Sequence, residues 1–264
     1  MTPERPAKTL LVAAGVAVFC SLMVSAAIVY LRPAQVAWEE IARSRTVLSL
    51  AGLLPEGASA PDRMVAMRFR ELEVLVADLQ RGQFDDAFDG LSFDMDAAWA
   101  DPAMLTDIPR ASDLARLGQR PRWMPVYLRM EAGAIRAVVL PIRGQGMWAP
   151  MQGYLALEGD FTTIVGIAIE QHGETPGIGE RITDPAWQAS WIGKRAFSEA
   201  GEVRIAAAGD GRVPRERAAQ HTFDAISGAT VTVSAVTDMV SYWLGGHGYG
   251  PLLQRLRTAG GQPP

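Results

Sequence analysis

The chain is poor in residues that form disulfides or bind metals. It has one cysteine, Cys20, among 264 residues, so it cannot form an intramolecular disulfide. The chain alone also cannot supply the four ligands that an iron-sulfur cluster or a structural zinc site takes. Its three histidines, His172, His221 and His247, show no HExxH-type spacing. We therefore expect no metal site and no metal chemistry within this polypeptide.

Net charge is also nearly absent. Lysine and arginine total 25 and aspartate and glutamate total 29. A balance so close to neutral argues against nucleic acid as a partner. Internal repeats and low-complexity tracts are missing as well. The length is enough for one large domain or two modest ones with a proper core.

One long apolar run is present near the N-terminus. Thr9 to Leu31 contains no charged residue and, as a helix, would be ~35 Å long, enough to cross a bilayer. A cleaved signal peptide is the alternative, because Arg5 and Lys8 resemble the start of one and residues 24–27 are small. The apolar run continues past any cut there, which favours an anchor over residues 1–32. Flanking arginines and lysines on both sides leave its orientation open.

We expect residues 33–264 to form an α+β domain with a helical linker at its start. The pattern predicts a helix over 36–53, a helix capped by Asp62 and a strand over 72–79. Residues 85–122 are acidic and loop-like, and the sequence does not say whether they pack on the domain or dock to a partner. The middle third predicts an antiparallel meander of four short strands, over 124–130, 135–142, 153–157 and 163–171. Trp187 and Trp191 share one helical face, and we interpret them as core residues.

The last helix follows the stretch "DAISGAT", Asp224 to Thr230. Its apolar residues recur with helical period, at Ala229, Val233, Val236, Val240, Trp243 and Leu244. A parallel hydroxyl stripe, Thr230, Ser234, Thr237 and Ser241, is expected to face away from the core. Ser227 is the expected N-cap, Gly228 permits close approach to the backbone, and Gly245 with Gly246 ends the helix. An anion at Thr230 would meet the positive end of the helix dipole, an effect of ~0.3 to 1 kcal/mol.

Taken alone, DAISGAT is a weak signal, since a capped helix start has the same composition. Several further stretches accompany it in order along the chain: "DPAM", "VYL", "GQGMW", "GYLALE", "GETPGIGERITDPAWQASWIGK" and "YWLGGHGYGPLL". With the N-terminal anchor, these stretches make the chain resemble the FMN-binding C subunit of the bacterial Na+-translocating NADH:quinone reductase. The resemblance covers most of the chain. One departure is Ile178, where the family usually has leucine.

The resemblance implies a covalent cofactor. In that family a separate flavin transferase, which uses FAD and Mg2+, joins FMN through its phosphate to the last threonine of the motif. By resemblance, Thr230 is the acceptor, and the recognition sequence comprises Asp224, Ser227, Gly228 and Ala229 with the residues between them. The loop with Glu174, Thr175, Gly177 and Ile178 is expected to line the flavin, because its glycines let backbone approach a flat ring. Trp148 is expected as a further neighbour of the flavin.

The resemblance also implies a role. We expect a single-pass protein of the bacterial inner membrane whose periplasmic antiparallel-sheet domain, with flanking helices, passes electrons between neighbouring redox subunits toward quinone. It would be an enzyme only as part of the multi-subunit NADH:quinone reductase, with no catalytic residues of its own. The G subunit of the Rnf-type ferredoxin:NAD+ oxidoreductase, which shares the threonine-linked flavin, is one alternative. A membrane-anchored binding or assembly module without a redox role is another. The transported ion, the flavin potential and the neighbouring redox centres stay open.

Overall fold

The structure is a computed structural model that describes residues 6–55, 60–213 and 218–260. The first element is one long helix, α1, Pro6–Leu50. The predicted anchor and the predicted helix after Pro33 are thus parts of one helix. Residues 1–5 of the predicted anchor region lie outside the described residues. Within α1, Ala7–Arg32 is long and apolar enough to cross a membrane by length and composition. The chain divides into two compact units between Ser44 and Arg45.

The second unit is built on strands and short helices. The strands are β1 Leu72–Asp78, β2 Gln83–Phe84, β3 Leu105–Asp107, β4 Gln119–Pro121, β5 Trp123–Glu131, β6 Ala134–Gln145, β7 Pro150–Glu158, β8 Ile164–Gln171, β9 Ala206–Ala207 and β10 Thr222–Phe223. The further α-helices are α2 Asp62–Phe69, α3 Met95–Ala100, α4 Pro185–Ala189, α5 Ala218–His221, α6 Thr230–Leu244 and α7 Gly250–Thr258. Two 3-10 turns, Pro102–Met104 and Gly179–Thr183, complete the described elements.

A six-stranded sheet in the order β2-β1-β5-β6-β7-β8 forms the centre of this unit. Every neighbouring pair in it is antiparallel. The last four strands are consecutive in sequence and adjacent in space, which confirms the predicted meander. Two smaller pairs lie outside this sheet, β3 with β4 and β9 with β10.

Both faces of the sheet are covered, as the alternation of side chains along β6 shows. Val138 and Leu140 belong to a large core with α6 and α7, whereas Val139 between them belongs to a second core with Val47 and Leu48 at the end of α1. Successive residues of a strand point to opposite faces, so one strand serves both cores. Residues on both sides of the sheet therefore hold it in place.

The acidic segment over 85–122 packs on the domain. Its residues Ala98, Ile108 and Ala115 are buried, and Ile108 and Ala115 belong to the large core. The carbonyl of Ala115 accepts a 2.8 Å hydrogen bond from the backbone N–H of Gln145, at the end of β6. The structure thus answers the question that the sequence left open about this segment.

Helix α6 confirms most of the sequence pattern. All six predicted apolar residues from Ala229 to Leu244 are buried, and Gly245 is the C-cap. The prediction that the hydroxyl stripe faces away from the core is wrong for Thr237, whose side chain is 1 % exposed and donates to the carbonyl of Val233. Because α6 is covered by the sheet and by neighbouring loops, a hydroxyl there bonds its own helix instead of water.

Two smaller predictions have different outcomes. The tryptophans Trp187 and Trp191 are buried as expected, with ring centroids 5.8 Å apart. Asp62 is the first residue of α2 and not its cap, since Pro61 occupies the N-cap position. Proline before the first turn needs no N–H partner, and Asp62 binds Arg45 at 2.7 Å instead.

Candidate functional site

The site begins at the first residue of α6, Thr230. Its side chain is exposed, and the N-cap residue is Ala229, whose side chain offers no capping hydrogen bond. Ser227 is therefore not the N-cap that the sequence predicted. It lies in an exposed turn with Gly228, whose φ of 81° is in the left-handed region, and this turn ends one residue before the helix starts. No side chain in the described part of the chain thus caps the first-turn N–H groups, which leaves them available to an anion.

Asp224, the first residue of the predicted recognition stretch, is held by residues 187–190, which precede it in the chain. The indole N–H of Trp187 donates to the Asp224 carbonyl at 2.8 Å, and the Asp224 N–H donates to Ser190 Oγ at 3.1 Å. Next to it, Phe223 stacks on Trp191 with ring centroids 3.7 Å apart. Two sequence stretches that carried the resemblance thus contact each other directly, while the Asp224 side chain stays exposed.

The loop after β8 comes close to the turn before α6. Ile178 is 47 % exposed, and its Cγ2 lies 3.8 Å from where a Cβ on Gly228 would stand. Gly177 has a φ of 72°, and no atom lies within 4 Å of its Cβ position, so this part of the loop faces open space. The structure therefore brings Ile178 and the glycine turn together beside Thr230.

Trp148 comes from the connection between β6 and β7. Its ring is 67 % exposed, although its Nε1–H donates to Thr175 Oγ1 at 3.3 Å. An exposed aromatic ring of this kind is available to a flat ligand. This contact joins the predicted neighbour Trp148 to the predicted lining residue Thr175.

Glu174 differs from the other predicted lining residues because it is 5 % exposed. One carboxylate oxygen accepts the N–H of Met147 at 2.7 Å, and the other accepts a hydrogen bond from the hydroxyl of Thr232. Its own N–H donates to Nδ1 of His172 at 3.2 Å. The sequence assigns no flavin-site role to Met147 or Thr232, although Thr232 lies two residues after the predicted acceptor, a signal that could have been used.

The surface around Thr230 fits an FMN group in its chemistry. Trp148, Ile178 and Val231, which is 53 % exposed, offer apolar side chains of the kind that cover a flat isoalloxazine ring. The exposed hydroxyl of Thr230 lies at an uncapped helix N-terminus, where backbone N–H groups favour a phosphate. These segments thus offer groups that suit both the ring and the phosphate.

Comparison with known proteins supports this interpretation. Residues 146–245 match the family model of the FMN-binding domain, and this range contains every predicted flavin contact. The C subunit of the Na+-translocating NADH-quinone reductase of Pseudomonas aeruginosa is 36% identical over 96% of this chain and 97% of its own length. The same subunit of Yersinia pestis is 37% identical over 95% of this chain and 92% of its own. The chain belongs to the family of these C subunits.

Solved structures agree with the assignment. The crystal structure of NqrC from Shewanella oneidensis superimposes with a TM-score of 0.71 at 30% identity, covering 81% of this chain and 96% of that one. The corresponding protein from Parabacteroides distasonis has a TM-score of 0.62 at 24% identity, covers 84% and 96% of the two chains, and supports the fold alone. These findings confirm the expected fold class, the expected class of oxidoreductase subunit and FMN as the cofactor. They also decide against the Rnf-type alternative.

Proposed function

We propose that this chain carries one FMN, joined through its phosphate to Thr230, as an electron-transfer subunit of a membrane Na+-translocating NADH-quinone reductase. The observation that carries the proposal is the exposed hydroxyl of Thr230 at an uncapped helix N-terminus. The match of residues 146–245 to the FMN-binding domain supports it. When bound, FMN supplies a centre that can take up and release single electrons.

The attachment needs an outside catalyst. A threonine hydroxyl is a weak nucleophile at neutral pH, and no adjacent base is bonded to Thr230 among the described residues. A flavin transferase with bound Mg2+ and FAD would supply the activation: the Oγ–P bond forms, the FAD pyrophosphate bond breaks, AMP leaves and the hydroxyl proton is lost. The chain contributes an accessible acceptor, and the exposed carboxylate of Asp224 is a recognition point for the transferase.

The remaining predicted residues would orient the cofactor. Trp148 and Ile178 offer apolar surface to the ring, and Thr175 holds the Trp148 indole. Gly177, Gly228, Ser227 and Ala229 shape the backbone beside the acceptor, where the remaining negative charge of the phosphodiester meets the helix start. No side chain has to act as an acid or base in turnover, so the role of the protein is to position the ring and tune its potential.

The acceptor assignment is tested by coexpression with the transferase. We expect the wild-type band on a denaturing gel to fluoresce under ultraviolet light, and Thr230→Ala to stay dark while folding normally. Ser234→Ala is the matched control, because Ser234 lies one turn further along the same helix and is half-buried. Intact mass should show one added FMN in the wild type and in the control. A fluorescent Thr230→Ala band would place the attachment on another residue, and a wild type that stays bare would refute covalent attachment.

The proposal includes the location of the chain and its partners. The apolar part of α1, Ala7–Arg32, is suited to anchor the chain in the bacterial inner membrane, with the folded unit in the periplasm as in the family it resembles. Its partners would be the other subunits of the reductase and, during maturation, the transferase. The boundary between anchor and domain is proposed at residue 32.

Topology is tested with paired fusions at the C-terminus. A periplasmic domain predicts active alkaline phosphatase and a dark green fluorescent protein fusion. The opposite pair of results overturns the orientation and leaves the acceptor assignment untouched. Gentle purification from the native membrane should recover the other reductase subunits with this chain.

A further inference from the structure

Glu174 is a buried carboxylate without a countercharge. It is 5 % exposed, and within residues 6–55, 60–213 and 218–260 no lysine, arginine or histidine forms an ion pair with it. A charged group is rarely buried unless specific donors satisfy it, because the loss of hydration is costly. The donors that it does have therefore indicate what the residue is for.

Those donors come from two other segments of the site. Met147 donates its backbone N–H at 2.7 Å from the connection that carries Trp148. Thr232 donates its hydroxyl from the first turn of α6. One side chain thus joins the loop after β8, the connection between β6 and β7, and the helix that presents the acceptor.

Two glycines leave room for this arrangement. A Cβ on Gly146 would lie 2.4 Å from Glu174 Oε1, and a Cβ on Gly179 would lie 2.9 Å from Glu174 Cβ and 3.0 Å from Thr232 Oγ1. Neither substitution is compatible with unmoved neighbours. The position of the Glu174 carboxylate therefore depends on glycine at residues 146 and 179.

The start of α6 needs such a support. Its N-cap, Ala229, makes no side-chain capping bond, and Val231, Thr232 and Val233 are β-branched residues that favour helix weakly. In a helix, residues two apart point about 200° apart, so Thr232 faces inward where Thr230 faces outward. A bond that holds Thr232 therefore also holds the backbone of the helical turn from which Thr230 projects.

We propose that Glu174 is a positioning residue, which acts through Thr232 to hold the acceptor hydroxyl and through Met147 to hold the loop of Trp148. This inference rests on the proposed function of Thr230. It also revises the sequence-based expectation for Glu174: its carboxylate is directed at the protein's own donors, and its contribution to flavin binding is indirect.

The test measures how fast purified transferase, with FAD and Mg2+, labels the full-length protein in detergent. Thr232→Val keeps the shape and removes the hydroxyl, Thr232→Ser restores it, and Glu174→Gln keeps the shape and removes the charge. We expect labelling to slow about tenfold in Thr232→Val, as for a lost hydrogen bond to a charged group. Glu174→Gln should slow it less, because the amide can still accept the Met147 N–H and pair with the Thr232 hydroxyl. Thr232→Ser should label at nearly the wild-type rate.

The double variant separates positioning from a general loss of structure. If Glu174 acts through Thr232, the two changes remove one interaction, and the double variant labels no more slowly than the slower single variant. Rates are compared below the unfolding temperature of every variant, checked by circular dichroism, and Thr232→Val carries the test if Glu174→Gln does not fold.

Two results overturn the inference. They are labelling at the wild-type rate by Thr232→Val and effects of the two single changes that multiply in the double variant. Failure of the acceptor assignment looks different, because label would then be absent from the wild type or present in Thr230→Ala.

Discussion

Among the described residues of the domain, two carboxylates near strand ends are buried, and they differ in what surrounds them. Asp78, the last residue of β1, accepts from Arg122 Nη2 at 2.6 Å and from the backbone N–H groups of Gln80 and Arg81. Glu174, after β8, accepts only from neutral groups, Met147 N–H and the Thr232 hydroxyl. Asp78 thus closes a corner of the fold with a countercharge, whereas Glu174 joins three segments of the candidate site without one.

This difference suggests that Asp78 serves mainly the stability of the fold and Glu174 mainly the proposed function. An ion pair with backbone hydrogen bonds fixes a turn whether or not a ligand is bound, and it lies beside the packed 85–122 segment. Glu174 has no ion pair, and in our proposal its two neutral donors connect the first turn of α6 to the loop of Trp148. The two residues should therefore respond differently to the same substitution.

The largest expected effect is on stability, from Asp78→Ala. Loss of the acceptor for the N–H groups of Gln80 and Arg81 alone should lower the free energy of unfolding by about 2 kcal/mol, and the loss of the Arg122 bond adds to this. Urea unfolding of the flavin-free protein measures the change. Labelling of the folded fraction should stay at the wild-type rate. If Asp78→Ala slowed labelling as strongly as Glu174→Gln does, the proposed division between the two carboxylates would fail.

A smaller effect is expected from pH. Burial by itself raises the pKa of Asp78, but the Arg122 guanidinium and two backbone N–H groups outweigh it and hold the pKa below its ordinary value of 3.8. A group with a lowered folded-state pKa stabilises the protein above the unfolded pKa, and this contribution is lost as the pH falls through the folded one. Stability should therefore decline below about pH 4, and less steeply in Asp78→Asn.

A second carboxylate, Asp160, also affects how stability depends on pH. Burial raises its pKa, but bonds from Thr163 and Thr162 lower it overall, so it contributes to the same acid-induced loss. Asp78→Asn should remove only part of the decline, and Asp78→Asn with Asp160→Asn should remove more. Thermal unfolding at a series of pH values measures the decline. If stability falls with pH as steeply in both variants as in the wild type, other groups control acid stability.

The same comparison explains what the sequence could and could not predict. The meander and the buried face of α6 followed from period-2 and period-3.6 patterns, because burial of apolar side chains depends on local spacing. Thr230 was identified from a resemblance, and its exposure followed from the helical period. The expectation that Glu174 lines the flavin stays a prediction, and the loop pattern carries no information on which way its carboxylate turns. Its partner Thr232 lies 58 positions further along, and only the folded chain brings them together.

The smallest effect on stability is expected at Trp148, whose ring is 67 % exposed. Trp148→Ala should change the free energy of unfolding by no more than about 0.5 kcal/mol, since surface residues contribute little to packing. If the ring lies beside the flavin, its removal should raise the fluorescence of the attached flavin and lower its anisotropy. Trp148→Phe keeps an aromatic ring and loses the bond to Thr175 Oγ1, so it separates contact from anchoring. Identical emission from Trp148→Ala and wild type would place the ring away from the flavin, and Ile178 and Val231 would remain as the apolar surface for the cofactor.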